Sequence, residues 1–152
     1  MATKTHYQHL LAYERWANQR LIAAIKQMEF PDERILSLVS HLLAARTVWL
    51  NRLQNSNEVM PLWQALPIEE AENLLLQVDL AWEKYLNNLK EEDLPLLVAY
   101  SNMKGELFET PVHQILTHVF NHSTYHRGQL ADHLKGKIPI VPSTDFILFV
   151  RE

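Results

Sequence analysis

The sequence predicts an all-α fold: a four-helix bundle with a short β-hairpin before the fourth helix. Three observations carry that prediction. Apolar residues recur every three or four positions along four long stretches. Only 3 glycines occur in 152 residues, too few for a turn-rich all-β chain. The connections between the periodic stretches are short, as in a bundle. The length fits one domain over residues 1–152, and no repeat or linker divides it.

The first helix is expected from about Thr5 to Glu29, on the spacing of Leu10, Tyr13, Ala17, Leu21, Ala24 and Met28. Phe30-Pro31-Asp32 ends it and opens the second, because proline is tolerated in a first helical turn. Ile35, Leu38, Leu42, Ala45, Trp49 and Leu53 carry the second helix to about Gln54. Asn55 to Trp63 reads as an irregular connection. Leu66-Pro67-Ile68-Glu69-Glu70 starts a third helix, with proline near the first position and acids where the macrodipole favours them. It continues to about Leu89.

Leu94–Tyr100 and Glu106–Thr110 flank Ser101-Asn102-Met103-Lys104-Gly105 and read as a hairpin turning at the glycine. Thr110-Pro111 supplies a cap and first residue for the fourth helix, which ends near Lys135-Gly136. The tail from Ile138 to Glu152 carries Phe146-Ile147-Leu148-Phe149-Val150 and is expected to pack back onto the bundle.

Composition narrows the function classes. With no cysteine, the chain has no thiolate nucleophile of its own, no Cys-containing zinc site and no iron–sulfur cluster. A formal net charge of −4 argues against a nucleic-acid partner. No apolar run approaches the ~20 residues that span a bilayer, and Met1–His6 lacks a signal-peptide core. A cytoplasmic location without a membrane partner is expected.

Histidine is over-represented, with 8 in the chain. His118, His122 and His126 are spaced four apart, so their imidazoles stack along one helix face and can converge on an ion. The intervening residues do not match H-E-x-x-H. At 100° per residue, His122 and His126 fall on or beside the arc of Ile115, Val119, Leu130 and Leu134. Two core-facing imidazoles side by side are costly unless a metal or polar network compensates.

One helix cannot encircle an ion, so a third ligand must come from elsewhere. His41 lies on the arc of Leu38, Ala45, Val48 and Trp49 and is the best candidate. His118 could be a fourth ligand, a partner supporting the ligands from behind, or a surface residue; the supporting role is favoured. His6 and His9 read as solvated, and His113 and His133 as structural or exposed. Asn121, Tyr125, Arg127 and Gln129 flank the ligands, with Arg127 and Gln129 suited to bridging neighbouring helices or a subunit contact. Trp16, Trp49, Trp63 and Trp82 read as core packing.

Tyr13-Glu14-Arg15-Trp16-Ala17-Asn18, His41-Leu42-Leu43-Ala44-Ala45, Tyr100–Glu106, Asn121–Gln129 and Pro142–Phe149 together resemble the DinB family of small bacterial proteins. These DinB/YfiT-like proteins are metalloenzyme candidates, and the translesion polymerase that shares the name is unrelated. The resemblance implies an up-down-down-up bundle, commonly a homodimer, with a divalent metal on three histidines. Carried over, those are His41, His122 and His126.

An open three-histidine site is a catalytic rather than a structural pattern. Zinc, nickel, iron and copper all suit it, zinc and nickel foremost. Two chemistries on a small-molecule substrate follow. A metal-bound water could hydrolyse an electrophile, helped by a carboxylate base; by elimination, Glu14 and Asp132 are the candidates. The resemblance also suggests transfer of a low-molecular-weight thiol such as bacillithiol, mycothiol or glutathione, which needs no base and is favoured here. A non-enzymatic metal-binding stress-response protein is the remaining alternative.

Overall fold

Thr3 and Asp32 set the starts of the first two helices by accepting backbone N–H bonds, Thr3 from His6 at 3.2 Å and Asp32 from Ile35 at 2.9 Å. In this computed structural model, which describes residues 2–56 and 58–152, α1 spans Lys4–Lys26 and α2 spans Glu33–Leu53. Pro31 therefore precedes α2 rather than sitting in its first turn. The Asp32 cap decides the boundary, because its carboxylate satisfies a donor that proline cannot. α3 covers Ile68–Asn88 and follows Pro67 directly.

Leu94 to Leu96 do not extend the first strand. A single 3-10 turn at Glu91–Asp93 takes up the chain, and β1 begins at Leu97. β1 (Leu97–Ser101) pairs antiparallel with β2 (Leu107–Pro111), Ala99 opposite Glu109. At the turn, Asn102 Oδ1 accepts from the backbone of Lys104 and Glu106, and Gly105 takes a φ of +80°. Pro111 closes β2, so α4 runs Val112–Leu134.

The core falls into two clusters. One joins Tyr7 and Leu11 near the start of α1 to Leu50 and Leu53, Trp82 and Leu86, and Ile115 and Val119. The other joins Leu21 and Ile25 near the end of α1 to Ile35 and Leu38, Ala71 and Leu75, and Leu130 and Leu134. The start of α1 thus meets the ends of α2 and α3 and the start of α4, an up-down-down-up order. α1 and α2 each pack against α3 and α4, which places α1 and α2 on a diagonal.

Where the clusters meet, each helix contributes one buried charge: Glu14, Arg46, Asp79 and Arg127. Arg127 Nη1 donates to Glu14 Oε2 at 2.7 Å, and Arg46 Nη2 to Asp79 Oδ1 at 2.8 Å. The tail packs back as expected. It forms the short helix α5 (Phe146–Phe149), whose Phe149 ring lies 5.7 Å from that of Trp16. The Tyr13 hydroxyl donates to the Thr144 carbonyl at 2.6 Å.

Candidate metal centre

α2 and α4 run antiparallel side by side, and their facing stripes bring three histidines together. His41 comes from α2, and His122 and His126 come from successive turns of α4. His126 Nε2 lies 3.1 Å from His41 Nε2 and 3.1 Å from His122 Nε2. All three ligand atoms lie within 4.8 Å of one another, so the group could hold a metal ion. Tetrahedral zinc with Zn–N bonds of about 2.0–2.1 Å requires nitrogens about 3.3 Å apart. The two distances from His126 match that to within a few tenths of an ångström.

The outer nitrogens reveal what the inner ones present. His41 Nδ1 meets the Leu62 carbonyl at 2.9 Å, and His126 Nδ1 meets Gln129 Oε1 at 2.8 Å. Those oxygens only accept, so each Nδ1 donates, and a ring that carries no second proton then presents its Nε2 lone pair to the centre. The two Nε2 atoms, both acceptors in neutral rings, lie 3.1 Å apart. They repel unless a cation is shared between them, and the carbonyl–imidazole–metal arrangement is the usual way such ligands are oriented.

Burial pushes His122 down to about 4, with the neighbouring His126, His118 and His41 adding to the effect. Burial also lowers His41, against the opposing pull of the Leu62 carbonyl. Neutral imidazoles are the form a metal needs.

Trp63 covers the centre. Its ring stacks on His41 at 3.6 Å and 5°, and stands edge-on to His126 at 5.7 Å. Trp63 is 47% exposed, so it is a wall of the site and not core packing as the sequence suggested; Trp82, at 1%, does fill the core. His122 is half-buried and opens onto a groove of about 290 Å³ between Ala45, Val48, Trp49 and the hairpin tip at Met103.

The other histidines stand apart from the triad's bonding. His118 faces Trp49 edge-on at 5.0 Å and makes no hydrogen bond to the three. The supporting role expected of it belongs instead to the Leu62 carbonyl and Gln129. His133 pairs with Asp32 at 3.0 Å, and His9 lies against Phe146 and Phe149. His6 is exposed beside Tyr7, and His113 accepts the Tyr7 hydroxyl through its backbone carbonyl at 2.9 Å.

Neither proposed base is free at the centre. Glu14 has one oxygen on Asn18 and the other on Arg127. Asp132 is exposed and pairs with Lys135 at 3.2 Å. Arg127 bridges helices as anticipated, whereas Gln129 turns inward to His126.

The sequence profile of the DinB family matches residues 1–136. The chain belongs to the DinB family. Protein DinB of Bacillus subtilis (strain 168) is 26% identical over 159 aligned positions, covering 93% of this chain and 91% of that protein. The fold agrees with that of a DinB-like protein from Bacillus cereus ATCC 10987, known from its crystal structure. The TM-score is 0.71 at 18% identity, over 93% of this chain and 97% of the other. The DinB match spans every element that builds the histidine group, from α1 through the end of α4.

Proposed function

We propose that this DinB-family chain is a metal-dependent enzyme in which His41, His122 and His126 hold one divalent ion, zinc or nickel ahead of iron or copper. The reaction we infer is S-transfer from a low-molecular-weight thiol to a small electrophilic substrate. The observation that carries the reading is the approach of His41 Nε2 to His126 Nε2 at 3.1 Å, with an acceptor behind each ring at Nδ1. A bound ion would lower the pKa of a coordinated thiol and present it as thiolate.

The protein's own residues do the rest. Leu62 and Gln129 keep the two buried rings oriented, Trp63 shields one side from water, and half-buried His122 leaves the groove side open to the ligand. Closed structural zinc sites take four protein ligands, and three favour a site with open positions. Thiol transfer is preferred to hydrolysis because neither candidate base is free at the centre, Glu14 being held by Asn18 and Arg127 and Asp132 by Lys135. The reading includes a cytoplasmic location and, following the family resemblance, a homodimer, which sedimentation velocity of the metal-loaded protein tests. Among the described residues no helix is long and apolar enough to cross a membrane.

The test is metal content of untagged wild type and His122→Ala, followed by conjugation of a chlorodinitrobenzene with bacillithiol, mycothiol and glutathione. About one ion per chain, absent from the variant, with metal-dependent conjugation by one thiol is the expected result. Metal without turnover by any thiol would remove the transferase reading. No metal in either protein would remove the enzyme reading altogether.

A further inference from the structure

Arg52 sits in the last turn of α2, eleven residues beyond His41. Its guanidinium lies 4.4 Å over the Trp49 ring and 5.2 Å over the Tyr100 ring, held between the helix and the hairpin. Arg15, Arg20, Arg46 and Arg127 each have a carboxylate within 4.0 Å. Arg34 and Arg151 are exposed, where water serves them. Among the described residues Arg52 alone is a half-buried arginine with no carboxylate within that distance. Burial works against its charge, opposed by the Tyr100 hydroxyl. A planar cation kept in place by two aromatic faces, its donor edge making no hydrogen bond among the described residues, suits recognition of a planar anion.

The groove supplies the connection. Arg52 lines the same groove as His41 and His122, and the exposed Lys104 of the hairpin turn lines it too. Eleven residues at 1.5 Å rise separate His41 and Arg52 by about 16 Å along α2. The Arg52 side chain reaches back toward the helix start, which leaves on the order of 10 Å to the histidine centre. The ligand must therefore be elongated. The C-terminal carbonyls of α2 carry partial negative charge at this end of the groove. A singly charged carboxylate meets that field more easily than a phosphate dianion.

We propose that Arg52, assisted by Lys104, determines specificity by binding a carboxylate on a small molecule whose metal-reactive atom sits at the three-histidine centre on the order of 10 Å away. This rests on the centre being a metal site, and the experiment separates the two claims.

Full-length protein loaded with cobalt(II) is titrated with two pairs of thiols, following the thiolate-to-cobalt charge-transfer band. The long pair is 8-mercaptooctanoate and 8-mercaptooctanol; the short pair is 3-mercaptopropionate and 2-mercaptoethanol. Wild type should bind the long carboxylate about ten-fold tighter than the long alcohol, with no such preference in the short pair. Arg52→Gln should erase the long-pair preference and leave 2-mercaptoethanol affinity unchanged. Arg52→Lys should restore part of it, and Lys104→Gln should reduce it less than Arg52→Gln.

A long-pair preference that survives Arg52→Gln, or one equally strong in the short pair, overturns the proposal. An octyl phosphate that outcompetes octanoate overturns the carboxylate assignment. Metal-free protein titrated with octanoate and octanol, read by tryptophan fluorescence, isolates the anion claim. An Arg52-dependent octanoate preference in a chain that binds no cobalt would sink the metal reading and keep the anion site. Its absence there, in protein that does bind cobalt, counts against Arg52.

Discussion

Arg127 and Glu14 meet at 2.7 Å in the centre of the bundle, and Arg127 directly follows His126 in the chain. The pair ties α4 to α1 and so fixes the rotation of α4 that aims His122 and His126 at α2. Burial alone would raise the Glu14 carboxyl; the Arg127 charge, then Arg46, and hydrogen bonds from Arg127 and Asn18 outweigh it and hold the group below its ordinary value. Glu14→Gln leaves a buried guanidinium without a counter-charge, which should cost about 3–5 kcal/mol, while Glu14→Leu with Arg127→Met should recover most of that. Urea unfolding of the three proteins reads both.

The same group sets an acid dependence. A carboxyl whose folded-state pKa is depressed contributes stability above its unfolded pKa of about 4.3, lost as pH falls through the lower folded value. The gap in urea midpoint between wild type and Glu14→Gln should therefore be constant from pH 7 to 5 and narrow below about pH 4. A gap unchanged down to pH 3 would mean that the Glu14 carboxyl titrates alike in the folded and unfolded chains and is not held low by Arg127. Asp79 differs: burial raises its carboxyl more than Arg46 lowers it, and its Oδ2 accepts no hydrogen bond from the described residues.

Asp32 holds two elements at once, capping α2 through the Ile35 N–H and receiving His133 of α4. The Ile35 bond chiefly, with His133 and Lys137, holds its carboxyl low against the opposing effect of burial. Asp32→Ala should cost about 1 kcal/mol, the usual worth of such a cap. Asp32→Asn, which can still cap, should cost less. Thermal unfolding at pH 7 separates them, and equal losses would assign the effect to His133 instead of the cap.

The four helices were legible because each keeps an apolar stripe at helical period, and the histidine triad because His122 and His126 are one turn apart on that stripe. The Pro31 boundary was misplaced because a side-chain cap at Asp32 decides it, a contact that propensity does not register. Leu62 supports His41 through a backbone carbonyl, which no side chain advertises. Gln129 was readable: three residues beyond His126, it shares that face of the helix. So was the buried charge of α1. Tyr7, Leu11, Glu14, Asn18, Leu21 and Ile25 alternate by four and three, which puts Glu14 and Asn18 at core positions.

Gln129 and His118 make opposite predictions, though both neighbour the triad. Gln129 accepts from His126 Nδ1, and loss of such a partner lowers metal affinity by about 10–100-fold. Gln129→Ala should therefore keep one ion per chain at saturation but release it to a weaker chelator. His118→Ala should leave both stoichiometry and affinity unchanged, since its ring packs on Trp49. Competition with a chromogenic zinc chelator measures the two variants, and a loss in His118→Ala would make that residue a ligand.

Trp63 stacks on His41 while half its surface meets solvent, so it shields the centre without being needed to fold the core. Trp63→Ala should leave the urea midpoint and the metal stoichiometry close to wild type. It should speed metal loss to excess chelator by roughly ten-fold, because the apolar shell around a site governs access of water and competing ligands. Trp63 also reports on the site, since its ring lies against His41: zinc titration should change tryptophan fluorescence in wild type and much less in Trp63→Ala. An unaltered release rate would show that the α2–α3 connection admits solvent to the histidines by another side.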